Sequence, residues 1–316
     1  MTDMRTILTK SPIEAAQFIR RSGIVAFPTE TVYGLGANVF DEEAVGKIFA
    51  AKQRPNDNPL IAHVGELSQV DLLIGDTTRA AREFMRAFFP APLTLVLPKS
   101  ARVPLAATAG LETIGVRMPK NELARQFLKA CGVPVVAPSA NISGKPSPTN
   151  WEAVYEDLND RIDCILQGEA AEIGLESTVV DCTSEVPLIL RAGAISLEEL
   201  QKVVPETRIY RVRENEIARS PGLKHKHYAP RAKVVLVPGA DCPAHNFGAT
   251  AFIGLEKPEM NFDLIKICSS IEEYAREVFA FFRTCDRRRI KTIYCQSVTE
   301  NGIGLALMDR LRRAAE

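Results

Sequence analysis

Along roughly the first 200 residues, segments whose apolar positions recur at helical spacing alternate with segments typical of β-strands. Ser11, Pro12 and Glu14 supply an N-cap, a proline at the first helical position and a capping-box glutamate, so they predict a helix over residues 12 to 22. Strands are predicted where short apolar runs stand between turn-forming residues. Those runs cover residues 24 to 27, 93 to 97, 114 to 116, 133 to 137, 162 to 166, 178 to 181 and 188 to 190.

Capping residues predict further helices. Asp41 begins one that must end before Pro55, because the residue before a proline avoids helical backbone angles. Lys52 and Arg54 are therefore expected at the C-terminal end of that helix. Three more helix starts are predicted at Asn121, at Thr149 with Glu152, and at Ser196 with Glu199. The pattern as a whole predicts a mixed-sheet α/β domain over residues 1 to 208.

The pattern changes twice after that domain. Residues 209 to 231 are basic and lack periodicity, which predicts an ordered linker or lid between two domains. Strand and helix patterns then alternate at residues 234 to 237, 251 to 255, 270 to 284, 290 to 296 and 303 to 313. They predict a smaller parallel three-layer α/β domain of the Rossmann-like type over residues 232 to 316.

Composition and charge narrow the function. With 316 residues the chain exceeds the usual size of a single core, and its 39 Lys and Arg balance its 39 Asp and Glu. No overall field therefore attracts nucleic acid or a membrane surface. The seven cysteines are scattered without a CxxC pair, and no segment resembles a signal peptide or a membrane span. We expect a cytoplasmic protein with reduced thiols.

Several familiar catalytic motifs are absent from the sequence. It contains no GxxxxGK phosphate loop, no GxGxxG dinucleotide loop, no GxSxG elbow and no HExxH zinc motif. Its four histidines, at positions 63, 225, 227 and 245, are too sparse for a zinc site. We therefore expect no protein-bound metal.

Three loops that follow or precede apolar strands concentrate polar residues. Residues 28 to 36 combine threonines with glycines that allow close backbone approach. Lys52 and Arg54 pair a point charge with a planar fork, which suits a polyphosphate, although a basic helix end explains them equally well. Residues 137 to 149 carry serines, an asparagine and a lysine that could contact phosphate or ribose, or could form a plain surface loop.

A fourth group of polar residues stands at strand ends. It consists of Arg117, Glu176, Ser177 and Arg191. Taken singly, each could be an ordinary salt-bridging residue, so these positions alone predict no specific ligand.

The polar segments together form an ordered set of motifs. FPTETVYGLG, KQRPNDNPL, PAPLTLVL, IGVRMP, APSANISGKPSPT, GLESTVVD and LRAGAI follow one another between about residues 10 and 200, and SPGLKHKHYAP follows at residues 220 to 230. This set resembles the threonylcarbamoyl-AMP synthase family in its long form, which has a YrdC-like catalytic domain and an extra C-terminal domain. Ala91 stands where the family commonly has glycine.

The resemblance implies a reaction. L-threonine, bicarbonate or CO2, and ATP would give threonylcarbamoyl-AMP and pyrophosphate, with Mg²⁺ accompanying the ATP. The product would pass to a separate tRNA threonylcarbamoyl transferase for modification of a tRNA adenosine. No stable nucleic-acid partner and no membrane partner are implied.

The resemblance also implies roles for individual residues. Lys52 and Arg54 would be catalytic, with Lys52 balancing charge in the transition state, Arg117 would hold the threonine carboxylate, and Tyr228 would reach from the linker over the ATP. The implied ATP contacts are Lys52, Arg54, Asn58, Thr113, Ser139, Asn141, Ser147, Arg191 and Tyr228. The implied threonine contacts are Thr31, His63, Arg117, Ala137 and Ser177.

Two other functions compete with this one. An RNA-binding module could use the basic loops together with Arg287, Arg288 and Arg289, but these clusters lack interleaved aromatic residues. An enzyme that makes a carbamoyl-adenylate for another acceptor would share most motifs, but such relatives lack the long-form linker.

Overall fold

Two β-sheets organise the chain. The computed structural model describes residues 5–56, 58–210, 228–240 and 248–316. The first sheet has 11 strands and the second has four. We call residues 5–210 the first unit and residues 228–316 the second unit. Most of the predicted linker, together with His225, His227 and His245, lies outside the described residues.

The first sheet is mixed. Its strands are β1 (Ile7–Thr9), β2 (Val25–Phe27), β3 (Gly34–Asn38), β4 (Ile61–His63), β5 (Leu93–Pro98), β6 (Thr113–Arg117), β7 (Val135–Ala137), β8 (Cys164–Leu166), β9 (Thr178–Asp181), β10 (Leu188–Arg191) and β11 (Arg208–Ile209). Their order across the sheet is β1-β8-β2-β3-β7-β4-β6-β5-β9-β10-β11. β4 runs parallel to β6 and antiparallel to β7, which brings His63 opposite both Arg117 and Val135.

Seven α-helices and one 3-10 helix at Leu67–Leu72 are described in the first unit. They are α1 (Pro12–Arg20), α2 (Glu42–Lys52), α3 (Arg79–Phe88), α4 (Leu105–Thr108), α5 (Glu122–Cys131), α6 (Trp151–Leu158) and α7 (Leu197–Val203). Ser11 and Ser196 cap α1 and α7 as predicted. The prediction for α6 was wrong by one residue, since Asn150 rather than Thr149 caps it by accepting from the Ala153 amide.

The helices of the first unit lie on both faces of its sheet. On one face α1 and α5 pack against β2, β7 and β8 through residues such as Ile19 and Phe127. On the other face a larger core joins α2, α3, α6 and α7 to the sheet. The side chains of β4 and β6 that point away from this larger core line a cleft.

The second unit is a parallel sheet with two helices. Its elements are β12 (Lys233–Val237), β13 (Thr250–Gly254), β14 (Leu264–Ile267), α8 (Ile271–Arg287), β15 (Thr292–Gln296) and α9 (Ile303–Ala315), with strand order β12-β15-β13-β14. α8 and α9 pack on one face with Ile293, while Phe252 and Phe262 cover the other face. One mixed and one parallel sheet confirm the predicted fold class.

The two units share a core. Val32 and Leu175 of the first unit pack in one cluster with Tyr228 and Phe279 of the second unit. No helix within the described parts of the chain has the length and apolar character needed to cross a membrane.

Candidate active site

The cleft of the first unit has a floor made by strand alternation. In β6, Ile114 and Val116 point into the larger core, while Gly115 and Arg117 point to the opposite face. β4 does the same, since Ala62 is in the core and His63 lines the cleft. Successive side chains of a strand point to opposite faces, so residues at every second position, among them His63 and Arg117, form the floor.

Most of the predicted site residues line this one cleft. They are Thr31, Arg54, His63, Arg117, Ala137, Ser139, Asn141, Ser147, Ser177, Arg191 and Tyr228. Thr113 lies in an adjoining hollow that shares Pro59, Leu60 and Ile61 with the cleft. Lys52 and Asn58 are buried and are not part of the lining. The motifs therefore converge in space, with these three residues at or behind the walls.

Arg117 has a fixed orientation at one end of the cleft. Its two terminal nitrogens donate to Thr31 Oγ1 at 2.8 Å and to Glu30 Oε1 at 2.6 Å. Its Nε is buried and has no hydrogen-bond partner among the described residues. Such an ion pair holds the planar guanidinium in one direction. Glu30 was missed as a site residue, although it stands beside Thr31 in the same motif.

His63 beside Arg117 is neutral. Burial lowers its pKa to about 3, and the nearby Arg117 charge acts in the same direction. Nδ1 lies 3.0 Å from the Ile61 carbonyl oxygen. Because a carbonyl oxygen only accepts, Nδ1 carries the proton and Nε2 is left as an acceptor. The Phe27 ring meets the imidazole edge-on at 5.6 Å.

Arg191 and Ser177 form a second fixed pair. Arg191 donates from Nε to the Ser177 carbonyl oxygen at 3.1 Å and from a terminal nitrogen to Ser177 Oγ at 3.2 Å. Ser177 Oγ is also 2.8 Å from Thr94 Oγ1. Both Arg191 and Ser177 are buried, so their positions are set before any ligand arrives.

Lys52 holds the loop at residues 139 to 149 from behind. Its Nζ donates to the carbonyl oxygens of Ser139 at 2.5 Å and Asn141 at 2.6 Å. Burial lowers the pKa of Lys52 well below its ordinary value, and the Arg54 charge lowers it further. These acceptors belong to the loop rather than to α2, which disfavours the interpretation of Lys52 as a simple helix-end charge.

Two acidic residues anchor the far side of this loop. Ser147 Oγ donates to Glu176 Oε1 at 2.6 Å, and Lys145 Nζ donates to Asp157 Oδ1 at 2.8 Å. The second oxygen of each carboxylate accepts from an arginine of the second unit, Arg310 for Glu176 and Arg283 for Asp157. Asp157, Arg283 and Arg310 were not predicted as site residues, and Glu176 was noted only as a polar residue at a strand end.

Tyr228 closes one wall of the cleft. Its ring stacks on Phe279 with centroids 5.4 Å apart, and Arg310 Cζ lies 5.5 Å from the Tyr228 centroid. Tyr228 is only 7% exposed. Burial raises the pKa of its phenol, and the Glu176 charge acts in the same direction.

Comparison with known proteins identifies the family. A family model described as "Telomere recombination" matches residues 17–193, and one described as "Threonylcarbamoyl-AMP synthase, C-terminal domain" matches residues 195–316. The chain is 43% identical over 315 residues to the threonylcarbamoyl-AMP synthase of Pyrococcus abyssi, covering 95% of this chain and 93% of that one. This chain belongs to the threonylcarbamoyl-AMP synthase family.

Further members of the threonylcarbamoyl-AMP synthase family agree with this assignment. The Bacillus subtilis enzyme is 39% identical over 318 residues, covering 96% of this chain and 92% of that one. The crystal structure of P. abyssi Sua5 complexed with L-threonine superposes with a TM-score of 0.90 at 41% identity, covering 98% of this chain and 97% of that one.

The C-terminal family model starts at residue 195, although α7 packs with the first unit and β11 extends its sheet.

The geometry disfavours the RNA-binding alternative. Lys52, Arg117 and Arg191 are 1%, 4% and 8% exposed, so they cannot present an open cationic surface to a polynucleotide. Arg287 is engaged with Glu156 across the two units at 2.8 Å.

Proposed function

We propose that this chain condenses L-threonine, bicarbonate or CO2, and ATP into threonylcarbamoyl-AMP and pyrophosphate. The threonine amine attacks the carbon of CO2 or bicarbonate to form a carbamate, and water is released when bicarbonate is used. A carbamate oxygen then attacks the α-phosphorus of ATP and pyrophosphate leaves. The observation that carries the proposal is the convergence in one cleft of motifs that are far apart in the sequence, in a chain related to these synthases over nearly its full length.

The Arg117 end of the cleft suits the amino acid. Arg117 Nε is buried and has no hydrogen-bond partner in the described part of the chain, so it can donate to a carboxylate. The His63 Nε2 acceptor suits the threonine hydroxyl or its ammonium group. Thr31 and Ser177 add hydroxyl groups, and the Ala137 backbone adds a polar contact at the cleft wall. We assign these residues to threonine.

The other end suits the nucleotide. Arg54, Ser139, Asn141, Ser147 and Arg191 line the rest of the same cleft, where Arg191 is hydrogen-bonded to Ser177 of the threonine set. We assign them to ATP together with Lys52, Asn58, Thr113 and Tyr228. The reaction needs no protein nucleophile, because the carbamate supplies one. Catalysis then rests on orientation, on charge neutralisation and on keeping water from the labile carbamate.

Mg²⁺ would reach the site with the triphosphate. Among the described residues no three His, Cys, Asp or Glu side chains are grouped to hold a metal ion. Glu176 faces the cleft, but both its oxygens already accept from Ser147 and Arg310. The cleft lining therefore fits a Mg²⁺ ion that is held by phosphate oxygens and water rather than by protein carboxylates. Bound there, Mg²⁺ would neutralise phosphate charge.

The proposal has three further parts. The product would pass to a tRNA threonylcarbamoyl transferase, and the protein would act in the cytoplasm. Tyr228 would cover the nucleotide as part of a linker at residues 209 to 231. Residues 211–227 lie outside the described structure, so the lid role of that segment stays a prediction.

Pyrophosphate release tests the proposed function. Purified protein is incubated with ATP, Mg²⁺, bicarbonate and one amino acid at a time. We expect release to require both threonine and bicarbonate. Serine should be roughly 10 to 100-fold less effective in kcat/KM, because one lost methyl contact costs about 1 to 3 kcal/mol.

The same assay separates the competing functions. Equal rates with all amino acids, or rates that do not depend on bicarbonate, would refute the proposed reaction. A different preferred acceptor would support the related carbamoyl-adenylate chemistry instead.

A further inference from the structure

Arg310 is a charged residue at a core position of α9. It stands on the apolar face of that helix with Leu307 and Leu311, and it is 1% exposed. Nε donates to Glu176 Oε2 and a terminal nitrogen donates to the Ala192 carbonyl oxygen, both at 3.0 Å. The other terminal nitrogen donates to Asp309 Oδ2 of the same helix at 2.8 Å. A buried guanidinium is unfavourable unless it is paired, and Glu176 is the carboxylate that pairs with Arg310 across the two units.

The Arg310 guanidinium contacts three parts of the proposed nucleotide site. Through Glu176 it reaches Ser147, whose hydroxyl donates to the other Glu176 oxygen at 2.6 Å. Through the Ala192 carbonyl it reaches the backbone next to Arg191. It also packs against the ring of Tyr228. One side chain of the second unit thus touches the supports of three residues that we assign to ATP.

Arg283 of α8 reaches the same loop from another side. It donates to the Pro146 carbonyl oxygen at 2.6 Å and to Asp157 Oδ2 at 2.8 Å. Asp157 Oδ1 in turn accepts from Lys145. The loop segment from Lys145 to Ser147 is therefore held by two arginines of the second unit.

Nearby positive charges keep the Glu176 and Asp157 carboxylates ionised. Burial alone would raise the pKa of Glu176, but Arg310 and Arg191 outweigh it and the pKa lies below its ordinary value. Burial would likewise raise the pKa of Asp157, and Arg283 and Lys145 reverse the shift. Both carboxylates are ionised at neutral pH, which strengthens their hydrogen bonds to Ser147 and Lys145.

We infer that Arg310 is a positioning residue for the nucleotide, through which the second unit sets the placement of Ser147 by way of Glu176. The inference rests on the proposed function, because it takes the loop at residues 139 to 149 as the ATP side of the cleft. Arg283 supports the same loop through Asp157 and the Pro146 carbonyl oxygen. Among the described residues, neither arginine forms a hydrogen bond with the residues that we assign to threonine. Those residues are Thr31, His63, Arg117, Ala137 and Ser177.

Arg310→Lys tests the inference in the full-length protein. Lysine keeps the positive charge beside Glu176 but lacks the fork that also reaches the Ala192 carbonyl. We expect affinity for a non-hydrolysable ATP analogue with Mg²⁺, measured by calorimetry, to fall about tenfold, and threonine affinity to stay within about twofold. Arg313→Lys is the matched control, because Arg313 lies on the same helix and shares Asp309 with Arg310 but has no hydrogen bond to Glu176 or Ala192 among the described residues.

A second background separates positioning from simple stabilisation. In Ser147→Ala the route from Arg310 through Glu176 to the nucleotide is already cut, while the contacts of Arg310 with the Ala192 carbonyl and with Tyr228 remain. The further loss of analogue affinity caused by Arg310→Lys should then shrink from about tenfold to below about threefold. A merely structural arginine would instead lower threonine and nucleotide affinity together, or would give the same tenfold loss in both backgrounds.

A neutral pair replaces the variant if Arg310→Lys does not fold. Arg310→Gln with Glu176→Gln removes both charges of the pair, although the buried Arg191 also loses the nearby Glu176 charge, and the same selective loss of analogue affinity is expected. The inference is overturned if the folded variant binds the analogue as tightly as Arg313→Lys does. Wild-type protein that binds analogue but releases no threonine-dependent pyrophosphate would refute the proposed reaction alone, since the binding comparison does not depend on turnover.

Discussion

The two ends of the cleft are held in place by different parts of the chain. At the end that we assign to threonine, Arg117 is oriented by Glu30 and Thr31, which all belong to the first unit. At the end that we assign to ATP, Ser147 and Lys145 depend on carboxylates whose other oxygens bond to Arg310 and Arg283 of the second unit. The hydrogen bonds that orient Arg117 thus come from one unit, whereas two carboxylates that hold the nucleotide loop also bond to the other unit.

This difference suggests a division of labour. A site built within one sheet keeps its shape as long as that sheet is folded. A site completed across two units changes whenever the contact between the units changes. The binding of threonine and of ATP should therefore respond separately to mutation, and variants on each side can break or sharpen the comparison.

The largest effect is expected at Lys52, which supports the nucleotide loop from within the first unit. Lys52→Met keeps the buried stem and removes the amino group that bonds to Ser139 and Asn141. We expect turnover to fall roughly 100 to 1,000-fold, the usual result of deleting one preorganised electrostatic group. Threonine affinity, measured by calorimetry, should stay within about threefold.

Lys47→Met is the control for this variant, because Lys47 lies on the same helix and is partly exposed. Assays should be run well below the melting temperature of each variant. Nearly unchanged turnover with a stability loss of about 0.3 to 1 kcal/mol would return Lys52 to a helix-end role and remove it from the nucleotide site.

The counterpart of Arg310→Lys is Arg117→Lys at the other end of the cleft. Lysine cannot contact Glu30, Thr31 and a carboxylate in the same plane. Threonine affinity should fall roughly 10 to 100-fold while affinity for the ATP analogue stays within about twofold. The measurement is calorimetry with each ligand alone.

Arg125→Lys controls for the general effect of this substitution, since Arg125 contacts Glu122 at a partly exposed position on α5. If Arg117→Lys weakens both ligands equally, the two ends are not independent. The comparison would then be wrong.

The smallest effect on turnover is expected from the titration of His63, which should instead appear in stability. Its pKa is about 3 in the folded protein against an ordinary 6.5, so below pH 6.5 the unfolded chain binds a proton that the folded chain does not. Stability is therefore lost as pH falls from 6.5 towards 3. The loss from this group is roughly 2 kcal/mol at pH 5.

His63→Gln should remove that dependence. Denaturant titrations at pH 7 and pH 5 should give a difference in unfolding free energy that is smaller than in the wild type by roughly 2 kcal/mol. An unchanged difference would mean that His63 is not buried in its neutral form. No step from His63 is expected in the pH dependence of wild-type turnover between pH 5 and 8, because the group stays neutral there.

Local signals predicted much of the fold. Capping residues predicted the starts of α1, α2, α5 and α7, and apolar runs predicted most of the central strands. Short strands with weak patterns were missed, such as β1, which the sheet builds by pairing Ile7 with Cys164. β3 was also missed, because Gly34 and Gly36 favour turns when read alone and become a strand through pairing with β2.

The sequence predicted the residues that line the site but not the residues that hold them in place. Residues with a motif were found, and most of them line the cleft. Their partners Glu30, Asp157, Arg283 and Arg310 were missed, since an ion pair between residues 134 positions apart leaves no local trace. One signal was available, because Arg310 interrupts an otherwise apolar helix face between Leu307 and Leu311.

The bond between Arg310 and Glu176 also bears on how the protein is made. Ribosomes add about 5 to 20 residues each second, and 134 residues separate the two partners. Glu176 is therefore translated on the order of ten seconds before its arginine exists. During that interval the wall around Ser147 lacks its Arg310 support. On the inferred role of Arg310, the nucleotide side of the cleft is completed only when a distant helix has been translated.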